Sequence, residues 1–154
     1  MDSPEEDVLH RVLDLRVPAT VDGMDVVHTA LADCWLSLAD VRPLEQRWCN
    51  EFSLAVAEVA ANIIQHAHAP FPPLLDFTLL LAHAPDHLMA RFVDVGIVAT
   101  PPDSPVMPSV AVSYDELGER GRGLALVQLT ADRFHYQRTA SGENVWVIAK
   151  QFPG

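Results

Sequence analysis

The stretch AEVAANIIQHAH, residues 57–68, sets polar side chains at a regular spacing into an otherwise apolar run. From Glu51 to Ala67 the chain holds strong helix formers and neither Gly nor Pro, which predicts a helix. Its apolar residues Phe52, Leu54, Val56, Val59, Ile63 and Ile64 leave no broad solvent face, so the helix is expected to be covered on most sides. Glu58, Asn62, Gln65 and His66 fall at i, i+4, i+7 and i+8, a single stripe along the helix. Such a stripe either faces water with ordinary i, i+4 contacts or walls a polar site, because a buried carboxylate needs a partner. The rest of the chain decides between the two.

Downstream, Pro70, Pro72 and Pro73 end the helix. LLDFTLLLAHA (74–84) and HLMARFVDV (87–95) then read as two strands joined at Pro85 and Asp86. Residues 99–120 contain four prolines and no sustained period, the profile of a long functional loop. GRGLALVQLTADRF (121–134) resumes a helix, and FHYQRTASGENVWVIAK (134–150) gives two strands around a Ser-Gly turn. Upstream, HRVLDLRV (10–17) alternates as a half-buried strand closed by Pro18. Thr20 or Asp22 can cap a helix reaching about Leu38, with Val27, Leu31, Trp35 and Leu38 on its apolar face. After Pro43 a second helix is expected to start near Leu44.

Paired strands with segregated helices predict an α+β two-layer sandwich, not a doubly wound parallel sheet. The 154 residues fit one domain spanning 1–154. Formal net charge is −11, from 21 acidic and 10 basic side chains, so a nucleic-acid backbone would be repelled and no direct nucleic-acid partner is expected. No apolar run approaches the ~20 residues of a membrane helix, and MDSPEEDVLHRV lacks a basic n-region. A cytoplasmic protein without membrane contact is the expectation. Cys34 and Cys49 sit on separate predicted helices without metal spacing and read as free, buried thiols.

Three pieces carry chemistry. Glu58 and Asn62 share the central helix; Asp94 and Gly96 end an apolar strand; Gly118, Gly121 and Gly123 lead into a helix. Glycines before a helix let backbone N–H groups approach an anion such as a phosphate, although singly they also serve as a turn and cap. GRGLAL lacks a Gly-Lys-Ser/Thr ending and follows a loop and not a strand, so it is neither a Walker A loop nor a Rossmann fingerprint. A carboxylate at Asp94 can accept from an exocyclic amine such as that of adenine, and Gly96 would let a flat ring come close; an Asp-x-Gly strand end is also a common turn.

Taken together, Glu-x-x-x-Asn-x-x-x-His-Ala, then Asp-x-Gly, then a long loop ending in Gly-x-Gly-Leu resembles the GHKL ATP-binding superfamily. Within it the chain is similar to serine-protein kinase anti-sigma factors of the RsbW type. The matching segments are LAVAEVAANIIQHA (54–67), DVGI (94–97), ERGRGLALVQLTADRFHYQR (119–138) and ENVWVIAK (143–150), nearly the whole chain in the expected order. The resemblance implies the Bergerat fold, a mixed, mostly antiparallel sheet covered on one face by helices, with residues 99–120 as an ATP lid.

It also implies roles. Asn62 would hold the Mg²⁺ that bridges the ATP phosphates, and Asp94 would read adenine with Gly96 beside it. Gly121, Arg122, Gly123 and Leu124 would form the end of the lid, with Arg122 or Arg120 on the γ-phosphate. Glu58 would be the general base that orients a protein serine hydroxyl. Phosphoryl transfer depends on positioning and charge neutralisation, and a base one helical turn from the metal ligand, about 6 Å along the axis, suits that need. Two positions depart from the family pattern: Val98 stands where many members carry a further glycine, and Asn144 where Thr is common. His66 and His68, lacking a third ligand, make a poor zinc site.

The function implied is phosphorylation of an anti-anti-sigma protein of the STAS type with Mg-ATP, and sequestration of a sigma factor by partner switching. The helix over 20–40 would contribute to partner binding, and the family tends to homodimerise. The alternative is a non-catalytic, nucleotide-binding switch module that sequesters a regulatory partner.

Overall fold

A computed structural model of the protein describes residues 9–66, 76–95 and 124–154. The elements run β1 (His10–Pro18), α1 (Val21–Ala39), α2 (Gln46–His66), β2 (Asp76–His83) and β3 (His87–Asp94). A helix α3 over 124–130 follows, and β4 (Arg133–Arg138) and β5 (Asn144–Gln151) complete them. Each agrees in type with the element expected from sequence, but α3 ends at 130, and Arg133 and Phe134, expected at the end of that helix, belong to β4. The second helix begins at Gln46, two residues after Leu44. Thr20 is the N-cap of α1, but its side chain makes no capping bond.

The five strands form one sheet in the order β1-β2-β3-β5-β4, and every neighbouring pair is antiparallel. β2 and β3 form a hairpin closed by Ala84 N–H donating to the His87 carbonyl at 2.9 Å. β4 and β5 form another, whose turn uses Gly142 at φ +88°, a conformation that costs glycine no Cβ clash. The chain therefore leaves β3, reaches the far edge as β4, and returns as β5 between them.

Strand alternation sends one set of side chains toward the helices. Register aligns that set into rows: Leu15, Leu79, Phe92, Trp146 and Tyr136 in one, Leu13, Leu81, Ala90, Ile148 and Phe134 in the next. Phe92, Trp146, Leu79, Leu81, Ala90 and Ile148 are all buried, and the large ones each contribute roughly 2–3 kcal/mol through removal from water. α1 packs on β1 and α2, and α2 packs on β3 and β5, so the helices cover this face. An aromatic group of Trp35, Trp48 and Phe52 joins α1 to α2, with the Trp48 and Phe52 rings stacked at 6.0 Å. Trp48 Nε1–H donates to the Gln151 carbonyl at 2.8 Å and ties the start of α2 to the end of β5.

Burial on α2 follows its sequence pattern with a refinement. Phe52, Val56, Val59, Ile63 and Ile64 are buried, while Leu54, Ala61 and Gln65 are exposed. The helix thus keeps one narrow wet side. α1 can lie this close to β1 because Gly23 has no Cβ: an added one would stand 2.0 Å from the Pro18 carbonyl oxygen.

Candidate functional site

At one end of the helix-facing surface the apolar rows give way to a polar one. Register places Asp94 of β3 opposite Asn144 of β5, and Asn144 opposite Arg138 of β4. Asn144 is fully buried and Asp94 is 5% exposed. Asn144 Nδ2–H donates to Asp94 Oδ1 at 2.8 Å. The Trp146 indole N–H, one row inward on the same face, donates to Asp94 Oδ2 at 3.3 Å. On its other side Asn144 Oδ1 accepts from the Tyr136 hydroxyl and from Arg138 Nη1 at 3.1 Å.

These partners fix the amide orientation of Asn144. A guanidinium only donates, so the atom facing Arg138 must be the oxygen, and the NH₂ group must face Asp94. The carboxylate is thereby held as an acceptor at a defined angle at the end of β3.

Asn62 lies on α2, the helix packed over β3 and β5. It is 6% exposed, and among the described residues its Nδ2 has no hydrogen-bond partner. The polar stripe of the helix is therefore split: Gln65 faces solvent, Glu58 is half-buried, and Asn62 is buried without its amide being satisfied. An orphaned buried amide costs about 1–3 kcal/mol, a strain of the kind that collects at functional sites. Its terminal O and N can exchange by a flip, so the carboxamide suits a hard cation that takes oxygen ligands. Among the described residues no three His, Cys, Asp or Glu side chains gather as a metal centre. A magnesium ion there would draw its remaining ligands from phosphate and water oxygens, which is its habit in nucleotide sites.

Leu124 opens the described part of α3 and is buried, as is Val127, so this helix is seated in the core. Its C-terminal end is held by Lys150, whose Nζ donates to the Thr130 carbonyl at 2.8 Å and pairs with Glu51 of α2 at 3.0 Å. The hydrogen bonds from Lys150 and then Arg47 hold the Glu51 carboxyl below the usual range. A cation at a helix C-terminus also opposes the negative end of its dipole. Gly96, Gly121, Arg122, Gly123, Arg120 and the loop 99–120 lie outside the described residues, as do His68 and the His66 side chain. Cys34 and Cys49 are free and buried. Burial, and then the nearby Cys49, push the Cys34 thiol up to about 12, which makes it a poor nucleophile.

Sequence reasoning named Asp94 and Asn62 but gave no role to Tyr136, Arg138 or Trp146. They stood in alternating runs that read as plain strands. Asn144, a polar residue at the start of an apolar strand, was the one available signal of a hydrogen-bonded row.

Comparison with known proteins agrees with this architecture. No curated protein resembles the chain closely enough in sequence to count as a match. A chain in the crystal structure of the SiaB–SiaC complex from Pseudomonas aeruginosa superposes with a TM-score of 0.60 at 11% identity, covering 93% of this chain and 91% of that one. At that identity the likeness speaks for the fold. The model of the histidine kinase-like ATPase domain matches residues 17–149, which include the buried Asn62, the Asp94 carboxylate and its Asn144 partner, and the chain belongs to that family.

Proposed function

We propose that this protein is an ATP-dependent serine-protein kinase that phosphorylates an anti-anti-sigma protein of the STAS type and, in its other state, sequesters a sigma factor. The observation that carries this reading is the buried amide nitrogen of Asn62, which has no partner among the described residues, on the helix that covers the strands bearing Asp94 and Asn144. A helix that only packed would not keep such an amide.

In this reading Mg-ATP supplies the γ-phosphoryl group and the positive charge that neutralises the phosphates. Asn62 holds the metal through its carboxamide oxygen. Asp94, fixed as an acceptor by Asn144 and Trp146, receives the exocyclic amine of adenine, with Gly96 giving the ring room. Gly121, Arg122, Gly123 and Leu124 close over the phosphates as the end of a lid over 99–120, within one domain spanning 1–154. Glu58, one turn from Asn62 and half-buried, would orient the serine hydroxyl and take its proton as the oxygen attacks the γ-phosphorus and the bond to the bridging oxygen breaks, releasing ADP.

Partner binding is supported by the fold neighbour, which was crystallised in a two-protein complex. A cytoplasmic location accords with the function, and no described helix is long and apolar enough to cross a membrane. The test is incubation with γ-labelled ATP and a STAS-type partner. Label on a partner serine, lost in Glu58→Ala, supports the kinase. Nucleotide binding without transfer by the wild type would leave the non-catalytic switch module as the function.

A further inference from the structure

Away from the polar row, an open cleft of about 330 Å³ lies between β1 and α1. Its apolar lining comes from Leu13 and Leu15 of the strand and Val26 and Ala30 of the helix, and Asp25 and Asp33 line it as well. Both carboxylates are exposed, and among the described residues neither forms an ion pair. The arginines of β1 do not neutralise them. Arg11 pairs with Asp14 at 3.3 Å and Arg16 with Asp76 at 3.7 Å, and register puts both arginines on the opposite sheet face from Leu13 and Leu15. Among the described residues β1 is moreover an edge strand, so its outer backbone groups can pair with an added strand.

We infer that this cleft is a docking site for an extended segment of a partner protein, one that pairs with β1, inserts an aliphatic side chain between Leu15 and Ala30, and flanks it with two basic residues. Geometry selects the spacing. Asp25 and Asp33 are eight residues apart on α1, about 12 Å along a helix axis. Side chains at i and i+4 of a strand share a face and stand about 13 Å apart. The recognised pattern is therefore basic-x-aliphatic-x-basic, with all three side chains turned toward α1.

Charge selects the occupant. A second copy paired through β1 would bring the acidic rims of two chains together, each chain carrying −11. The chain's own N-terminal residues contribute Asp2, Glu5, Glu6 and Asp7 and are repelled in the same way. A basic partner segment is attracted instead. The inference deepens the partner side of the proposed function and needs neither nucleotide nor phosphoryl transfer.

The probe is a fluorophore-tagged, N-acetylated and C-amidated peptide, Ser-Lys-Thr-Leu-Thr-Lys-Ser, titrated into the full chain without nucleotide. Saturable binding is expected, weakened at least tenfold in Asp25→Lys/Asp33→Lys, whose exposed positions leave the fold intact. A peptide with Glu in place of both Lys residues is expected to prefer that double variant over the wild type, and one with Ala in place of Leu to bind at least fivefold more weakly. Equal affinity of wild type and double variant for the Lys peptide, or no dependence on the Leu, would overturn the site. Self-association that the double variant strengthens would assign the cleft to a second copy and also overturn it. Since nucleotide binding is measured separately, loss of one activity leaves the other readable.

Discussion

Asn144 and Asp94, fifty residues apart in sequence, face each other across β5 and β3, and the amide of one donates to the carboxylate of the other at 2.8 Å. Asn144 has a side chain long enough to join Asp94 to Tyr136 and Arg138 at once. Asn144→Leu leaves buried polar partners short of a bond and is expected to cost about 2–3 kcal/mol, read as a lower urea midpoint. Asp94→Asn turns a fixed acceptor into an amide. It should lose the preference for ATP over inosine triphosphate, which presents a carbonyl where adenine presents an amine; an unchanged preference would remove Asp94 from base reading.

Gly23 is the point where α1 meets the end of β1. An added Cβ would lie 2.0 Å from the Pro18 carbonyl oxygen, and backbone on both sides has little freedom to yield. Gly23→Ala is expected to destabilise by more than about 3 kcal/mol, at the extreme of single substitutions. Chemical denaturation measures it, and a loss under about 1 kcal/mol would show that α1 sits farther from the strand.

His83 supplies a pH dependence. Burial first, then the neighbouring His10, whose ring lies 5.2 Å away, and Arg42 push the His83 imidazole below its ordinary range, against a hydrogen bond with the Ala84 backbone. The folded chain therefore resists a proton that the unfolded chain accepts. Stability should fall as pH drops below the ordinary histidine value of about 6.5, and level off below the depressed folded value. His83→Gln is expected to flatten the decline in thermal melts between pH 7 and 5.5; parallel curves would assign the effect elsewhere.

Lys150 braces the end of α3 against Glu51 of α2. Lys150→Met should speed hydrogen exchange at residues 127–130 while leaving the β2–β3 hairpin protected, because the last turn of α3 loses its cation and Glu51 keeps its pair with Arg47. Exchange that accelerates evenly across the sheet would mean a global loss of stability instead.

Much of this fold was legible from periodicity. Alternation marked HRVLDLRV and HLMARFVDV as strands, prolines marked the helix ends, and apolar spacing marked the buried face of α2. The order β3-β5-β4 was not legible, since a hairpin can add to a sheet by either strand and local pattern does not choose. For that reason the row Asp94, Asn144 and Arg138 stayed hidden: its members meet only once β5 lies beside β3. The stripe of Glu58, Asn62 and Gln65 was legible as a stripe, but its division into wet and buried residues depends on how α2 tilts over the sheet.

In the proposed function Asn62 is kept for magnesium and phosphate at a cost to the empty protein. Removing its amide takes no hydrogen bond from Nδ2, which has no partner among the described residues. The decisive measurement is calorimetric titration of ATP into the wild type and Asn62→Ala, each with and without Mg²⁺. The wild type is expected to bind at least tenfold more tightly with the metal, and the variant to show no such gain. An equal magnesium-dependent gain in both proteins would contradict the account.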